Sequence, residues 1–326
     1  MPEVSLAAPK RRWARRLADQ REFVLAVTLL AMVAYVAVRH PEALTLDNMS
    51  VVFLALSVQA IVAIGMTNLL VSGGFDLSVG STAGLTAAVA ALAMRSDVPV
   101  PVAILLGLAL GAAIGVANGL MIAKIGINPF ITTLGMMGVI RGLLEVITQG
   151  QNISGLPDAF KWIGQEKFLG VQHPILICLV MVAVGDVLLR KSRFFRQNYY
   201  IGGSEKAAVL SGINVDAMKV FNYTLTGALA AVAGILLASR FGSVSISLGK
   251  DMELKVITAV IIGGASLQGG EGTVFGAFLG SLLMAMIVSA ITIFQIDVYW
   301  TTFIIGATLL VAVLIDTLTK RGRRET

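Results

Sequence analysis

Long apolar runs recur along nearly the whole chain, and they constrain the fold more than any other feature of the sequence. The first extends from Phe23 to Val38, and nine more follow at residues 50–72, 77–94, 99–123, 129–148, 174–189, 219–239, 254–267, 273–295 and 298–318. Most reach the roughly 20 residues that a helix needs to cross the hydrocarbon core of a bilayer. The runs at 77–94 and 254–267 are short and lie beside glycine clusters, which is typical of half-spans or broken helices. We therefore expect an all-α, polytopic transmembrane bundle of about ten spans, with nine to eleven as the range.

Charged residues are too few to cover a water-soluble body of this length. They make up 13% of the 326 residues, while hydrophobic residues make up 56%. Soluble domains usually carry about 25% charged residues. Because lipid offers the backbone no hydrogen bonds, each span is expected to be a helix. The sequence thus predicts a multi-pass protein that contacts lipid over most of its surface.

Basic residues concentrate in segments that ten spans would place on one side of the membrane. Residues 1–21, 190–218 and 319–326 are all basic, and the positive-inside rule assigns such segments to the cytoplasm. We expect a cytoplasmic N-terminus at 1–21, a single transmembrane domain at 22–318 and a cytoplasmic tail at 319–326. Both termini would then be cytoplasmic, and the loop at 149–173 would be periplasmic. Membrane topology explains the net charge of +6 without nucleic-acid binding.

The sequence lacks the motifs of a protein that hydrolyses ATP or catalyses a reaction. It contains no G-x-x-x-x-G-K-[ST] phosphate loop, no G-x-S-x-G elbow and no H-E-x-x-H pair. Cys178 stands alone in an apolar run, and His40 and His173 each precede a proline. We expect no enzyme activity, no metal site and no cofactor bound by this chain.

The segment Ser72–Ser81 interrupts the apolar sequence with two glycines, an acid and serines, in the order Ser-Gly-Gly-Phe-Asp-Leu-Ser-Val-Gly-Ser. A carboxylate this close to the hydrocarbon core is costly unless it is paired or hydrated. Two interpretations of Asp76 stay open. It caps the helix that begins near Leu77, or it contacts a polar solute or forms a gate, with Ser78 and Ser81 beside it.

Other polar residues within the spans are candidates for a hydrated path. Arg141 and Glu145 lie four residues apart on one predicted helix, where they can form an ion pair or line the path. Further candidates are Gln59, Asn68, Asn118, Asn128, Thr132 and Thr133. Asn128-Pro129 also suits a helix start. Glycines at every fourth position, Gly107 to Gly119, favour tight helix packing over a pore lining.

The basic loop at 190–218 carries helix signals of its own. Ser204 can cap a short helix over Glu205–Leu210, and Gly212 can end it. A short amphipathic helix at the cytoplasmic face suits the docking of a partner. The alternative is a helix that lies among the lipid headgroups.

Four ordered motifs resemble those of the ribose-type permeases of bacterial ABC importers, over about residues 20–318. They are Ser72–Ser81; Asn118-Gly-Leu with Pro129-Phe-Ile-Thr-Thr-Leu-Gly-Met-Met and Arg141-Gly142; Tyr200-Ile-Gly-Gly-Ser-Glu-Lys-Ala-Ala with Ser211-Gly-Ile; and Glu253–Thr273. The resemblance implies an inner-membrane permease subunit that imports a monosaccharide or similar small polar solute. One departure is Glu253-Leu254-Lys255, where the family commonly has Glu-Leu-Asp.

The resemblance also implies partners. The permease would pair with itself or with a close relative, and a periplasmic solute-binding protein would deliver the solute. Cytoplasmic ATP-binding subunits, which carry the ATP and Mg, would dock at Gly202, Gly203, Ser204, Glu205, Lys206, Ala207, Ala208 and Gly212. The alternative is a self-sufficient secondary transporter or channel, which would need coupling carboxylates deep in the spans.

Overall fold

The computed structural model describes residues 21–297 and 299–324. Within them the chain forms thirteen α-helices. They are α1 Arg21–Arg39, α2 Leu46–Val71, α3 Val79–Arg95, α4 Val100–Leu120, α5 Pro129–Thr148, α6 Asp158–Gln165, α7 His173–Lys191, α8 Arg193–Gly203, α9 Glu205–Leu210, α10 Val215–Phe241, α11 Met252–Ile262, α12 Val274–Ile293 and α13 Trp300–Arg324. A 3₁₀ turn, Pro41–Leu44, follows α1, and a π-helical turn, Met121–Ile125, extends α4. Strands β1, Lys167–Phe168, and β2, Val171–Gln172, form a small antiparallel hairpin.

Each predicted apolar run coincides with one helix, which confirms an all-α membrane protein. Seven of these helices, namely α1, α2, α4, α5, α7, α10 and α12, are long and apolar enough to cross a bilayer. Helix α3 and the Trp300–Leu314 part of α13 are apolar but shorter. Helix α11 has 11 residues and rises only about 16 Å, against a hydrocarbon core of about 30 Å. The total of ten spans therefore stays a prediction.

The bundle has two distinct ends. Helices α8 and α9 mark the first, here called the loop end. At this end Lys124 pairs with Asp216 at 2.8 Å, and Arg190 pairs with Glu22 at the start of α1 at 3.3 Å. The opposite end, here called the hairpin end, carries α6 and the hairpin. There Ile153 forms a backbone bridge with Val244 at the far end of α10.

Helices α2 and α10 form the interior of the bundle. Their apolar windows are 72% and 61% buried, against 17–28% for α1, α4, α5 and α7. Glycines allow α4 to approach α10 closely, because a Cβ on Gly111 would lie 2.5 Å from the Gly227 carbonyl oxygen and one on Gly115 2.3 Å from that of Tyr223. The packing interpretation of the α4 glycines is confirmed.

The predicted terminal segments are only partly described. Of the N-terminal segment 1–21, the structure describes Arg21 alone. Helix α13 continues to Arg324, which is well into the predicted tail 319–326.

Candidate translocation and docking sites

Asp76, Ser78 and Asn118 form a buried hydrogen-bonded cluster where the chain passes from α2 to α3. Asp76 Oδ1 accepts hydrogen bonds from the backbone N–H of Ser78 at 2.7 Å and from its hydroxyl at 2.6 Å. Asn118 Nδ2 donates to Ser78 Oγ at 3.0 Å and to Asp76 Oδ2 at 3.4 Å. All three residues are at most 2% exposed, so the cluster is closed to solvent.

The carboxylate of Asp76 serves the start of a helix, although not as a conventional N-cap. It satisfies the N–H of Ser78, and α3 begins one residue later, at Val79, rather than near Leu77. Ser81 lies buried in the first turn of α3. Contact between Asp76 and a solute stays a prediction.

Tyr223 of α10 holds the segment that carries Asp76. Its side chain is 1% exposed, and its hydroxyl donates to the Phe75 carbonyl oxygen at 3.1 Å. A Cβ on Gly74 would lie 3.1 Å from the same hydroxyl. Tyr223 was not among the residues predicted from the sequence. The signal available there was a polar pair, Asn222-Tyr223, inside an apolar run.

Three of the path candidates carry a buried oxygen that lacks a partner within the described part of the chain. These atoms are Gln59 Oε1, Asn118 Oδ1 and Thr132 Oγ1. Thr133, by contrast, donates its hydroxyl to the Pro129 carbonyl of its own helix at 2.9 Å. Asn128 caps α5 through the N–H of Phe130 at 2.8 Å, which confirms the predicted helix start.

Arg141 bonds across the fold and not along its own helix. Its Nη1 donates to the carbonyl oxygens of Ile246 and Leu248, both at 3.1 Å. Glu145 is exposed, and among the ion pairs of the described residues there is none between it and Arg141. Of the two alternatives for Arg141, the ion pair with Glu145 is not formed among the described residues, because the loop after α10 lies against α3 and offers Arg141 two carbonyl acceptors; lining of the path stays a prediction. These two hydrogen bonds hold that loop against the interior of α5, seven residues before its end.

A cavity of about 420 Å³ opens at the loop end between α2, α5, α9 and α10. It is lined by Gly74, Asn128 and Tyr223, together with the ion pair between Lys219 and Glu205, whose charged atoms are 2.8 Å apart. The cavity is therefore lined both by a path candidate, Asn128, and by a predicted docking residue, Glu205.

The predicted short helix of the 190–218 loop is present as α9. The Ser204 hydroxyl accepts from the N–H of Ala207 at 3.3 Å, and Gly212 takes a φ of +80° just after the helix ends. Most of the predicted docking residues are exposed, namely Gly203, Ser204, Glu205, Lys206, Ala207 and Gly212. Ala208 is buried in a small cluster beneath them. Two further exposed residues of α9, Val209 and Leu210, were not among the predicted docking residues; they are 57% and 89% exposed.

Gly202 lies below this surface, where three segments of backbone meet. A Cβ at Gly202 would lie 1.9 Å from the Val71 carbonyl oxygen, which itself accepts from the N–H of Gly270 at 2.8 Å. Nearby on α8, Tyr199 donates its hydroxyl to the Gly272 carbonyl at 2.7 Å. Burial raises the pKa of this hydroxyl above its usual value, so it stays a neutral donor. Helix α8 is thus anchored to the bundle at several points.

Comparisons with known proteins give a consistent result. The family model described as a branched-chain amino acid transport system permease component matches residues 48–313. The ribose import permease RbsC of Haemophilus influenzae is 37% identical, over 93% of this chain and 94% of that protein. RbsC of Bacillus subtilis is 39% identical, over 88% and 90%. The autoinducer 2 import permease LsrC of Enterobacter sp. (strain 638) is 32% identical, over 93% and 88%. No solved structure matches the chain.

These matches cover nearly the whole chain and nearly the whole of each relative, so they apply to the complete fold and not to one motif. Proteins of this family are transport subunits of the bacterial inner membrane, and ATP is hydrolysed on a separate subunit. The chain is therefore not an enzyme, and it belongs to the permease-component family of ABC importers, within its ribose-type group.

Proposed function

We propose that this permease carries a monosaccharide or similar small polar solute across the inner membrane, driven by ATP hydrolysis on separate cytoplasmic subunits. The relatives with high coverage are named for import of ribose and of autoinducer 2. This supports a sugar-like solute over the amino acids named in the family description.

One observation supports the predicted path of the solute through the spans. Asn118 Oδ1 and Thr132 Oγ1 are buried without a partner among the described residues, and such atoms are costly unless something hydrogen-bonds to them. A solute rich in hydroxyl groups could supply the missing donors and needs no charged partner. The path candidates remain Asp76, Ser78, Ser81, Asn118, Asn128, Thr132, Thr133, Arg141 and Glu145.

Docking of the ATP-binding subunits belongs at α9 and the turn before it. The surface of α9 combines two charges, Glu205 and Lys206, with two exposed apolar side chains, Val209 and Leu210. Exposed apolar groups rimmed by charge are typical of protein interfaces. ATP and Mg would bind on those subunits and not on this chain.

The topology follows from this assignment. The loop end would be cytoplasmic, with residues 1–21 and the tail 319–326 on the same side of the single domain 22–318. The hairpin end, with the loop 149–173, would be periplasmic and would meet the solute-binding protein. A second permease, identical or related, would complete the transporter.

A matched pair of leucines tests the docking assignment. Leu210 on α9 and Leu169 in the hairpin turn are both 89% exposed, at opposite ends of the bundle. The chain is expressed with the ATP-binding subunits, and their recovery with Leu210→Asp and Leu169→Asp is compared with that of the native chain. We expect Leu210→Asp to lose the ATP-binding subunits and Leu169→Asp to retain them. Equal recovery with both variants would refute docking at α9.

Transport itself is measured in proteoliposomes that contain the complete complex and the binding protein. We expect uptake of labelled ribose or another monosaccharide that requires ATP. Uptake that follows an ion gradient in the absence of ATP would instead favour the self-sufficient transporter.

A further inference from the structure

Three buried asparagines join the docking loop to the bundle. Asn198 of α8 and Asn222 of α10 are fully buried, and Asn68 near the end of α2 is 1% exposed. Asn222 Nδ2 donates to Asn198 Oδ1 at 2.8 Å, and Asn198 Nδ2 lies 3.4 Å from Asn222 Oδ1. Asn198 Nδ2 also donates to Asn68 Oδ1 at 3.1 Å. Three helices therefore meet through one amide of the docking loop.

Both polar atoms of the Asn198 amide have hydrogen-bond partners in this arrangement. Its two N–H groups have acceptors on two different helices, and its oxygen has a donor. No solvent reaches the group, so a lost partner cannot be replaced by water. A displacement of α8 must therefore move α2 and α10 with it or break these hydrogen bonds.

The same turn of α10 contacts the segment that carries Asp76. Asn222 Nδ2 also donates to Ser72 Oγ at 3.3 Å, and the neighbouring Tyr223 donates to the Phe75 carbonyl at 3.1 Å. Hydrogen bonds thus run from Asn198 through Asn222 to Ser72, and the adjacent Tyr223 of the same helix holds Phe75, next to Asp76.

We propose that Asn198 is a positioning residue for transport, which transmits movement of the docking loop through Asn222 to the Ser72–Ser78 segment. This inference rests on the proposed function, because it takes the ATP-binding subunits as the source of that movement. Asn198 contacts neither the solute nor ATP. Its removal should therefore change how much solute each hydrolysed ATP carries, and not whether ATP is hydrolysed.

The test uses Asn198→Leu in the complete complex, reconstituted in proteoliposomes with the binding protein. ATP hydrolysis and sugar uptake are measured in the same vesicles. We expect the variant to retain the ATP-binding subunits and to hydrolyse ATP. The uptake per ATP should fall about tenfold, which lies within the range by which single substitutions between two sites change their coupling. The fall is partial because Tyr199 and Gly202 still connect α8 to the bundle.

Thr67→Val is the matched control. Thr67 is fully buried beside Asn68, but among the described residues its hydroxyl bonds only to the Ala63 carbonyl of its own helix, at 2.6 Å. We expect the native uptake per ATP in this variant. The native ratio in Asn198→Leu, or an equal fall in both variants, would overturn the inference.

A second experiment does not depend on how Asn198→Leu folds. Hydrogen exchange of the peptide that contains Ser72–Ser78 is measured in the native complex, with and without a non-hydrolysable ATP analogue. We expect exchange in this peptide to change with nucleotide, and an unchanged rate would overturn the inference. If the native chain neither recovers ATP-binding subunits nor takes up sugar with ATP, the proposed function fails instead.

Discussion

Replacement of Gly202 by alanine tests the contact between the docking loop and the bundle most sharply. The added Cβ would lie 1.9 Å from the Val71 carbonyl oxygen and 2.4 Å from the Gly270 nitrogen. Ordinary contact begins near 3.4 Å, so the carbonyl would have to move by about 1.5 Å. Overpacking of this kind costs about 1–3 kcal/mol, and the broken hydrogen bond between Gly270 and Val71 adds about 1–3 kcal/mol. We expect Gly202→Ala to destabilise the fold by about 2–6 kcal/mol.

The neighbouring glycine provides the control. Within the described part of the chain, a Cβ at Gly203 would meet no atom within 4 Å, and alanine is favoured over glycine in a helix by up to about 1 kcal/mol. The midpoint of thermal unfolding is measured for both variants in detergent, by size-exclusion chromatography of heated samples. We expect Gly202→Ala to unfold well below the native chain and Gly203→Ala to unfold at or slightly above it. Equal midpoints for the two variants would show that this packing argument fails.

Three further substitutions, the first of them paired with a control substitution, test other contacts. Gly111→Ala puts a Cβ 2.5 Å from a carbonyl oxygen of α10 and should destabilise the fold by about 1–3 kcal/mol. The control, Gly138→Ala, adds a Cβ that meets no described atom within 4 Å, so it should keep the native thermal midpoint. Arg141→Gln removes a donor shared by two carbonyls of the loop between α10 and α11, so hydrogen exchange in that loop should accelerate. An unchanged rate would mean that Arg141 does not fix it. Ser204→Ala removes the cap of α9 and should cost about 1 kcal/mol, seen as faster amide exchange in α9 alone.

Helix positions follow closely from the sequence because a membrane leaves the backbone no alternative partner. Helix α5 begins where Asn128-Pro129 predicted it, and α9 spans the predicted Glu205–Leu210. Helix α11 ends at Ile262, earlier than the apolar run suggests. The reason is local, since Gly264 adopts a φ of +98°, which turns the chain before the run is complete.

Contacts between distant segments do not follow from the sequence. Spacing along a helix shows that Arg141 and Glu145 share a face, but the acceptors of Arg141 come from carbonyls more than 100 residues away. Asn198 lies in a basic loop and looks like a surface residue, yet it is fully buried. Each of these partners is set by how helices pack, which no local pattern encodes.

The polar cluster is best understood as two halves positioned by one helix. Asn118 lies on α4 between Gly115 and Gly119, and a Cβ on either glycine would come within 2.6 Å of the α10 backbone. Asp76 lies on a non-helical segment that Asn222 and Tyr223 of α10 hold by hydrogen bonds. Lipid gives helices no hydrophobic reason to associate, so close backbone packing and buried polar bonds must fix them. Because both halves are held by the first turns of α10, a shift of that part of the helix would move Asp76 and Asn118 together.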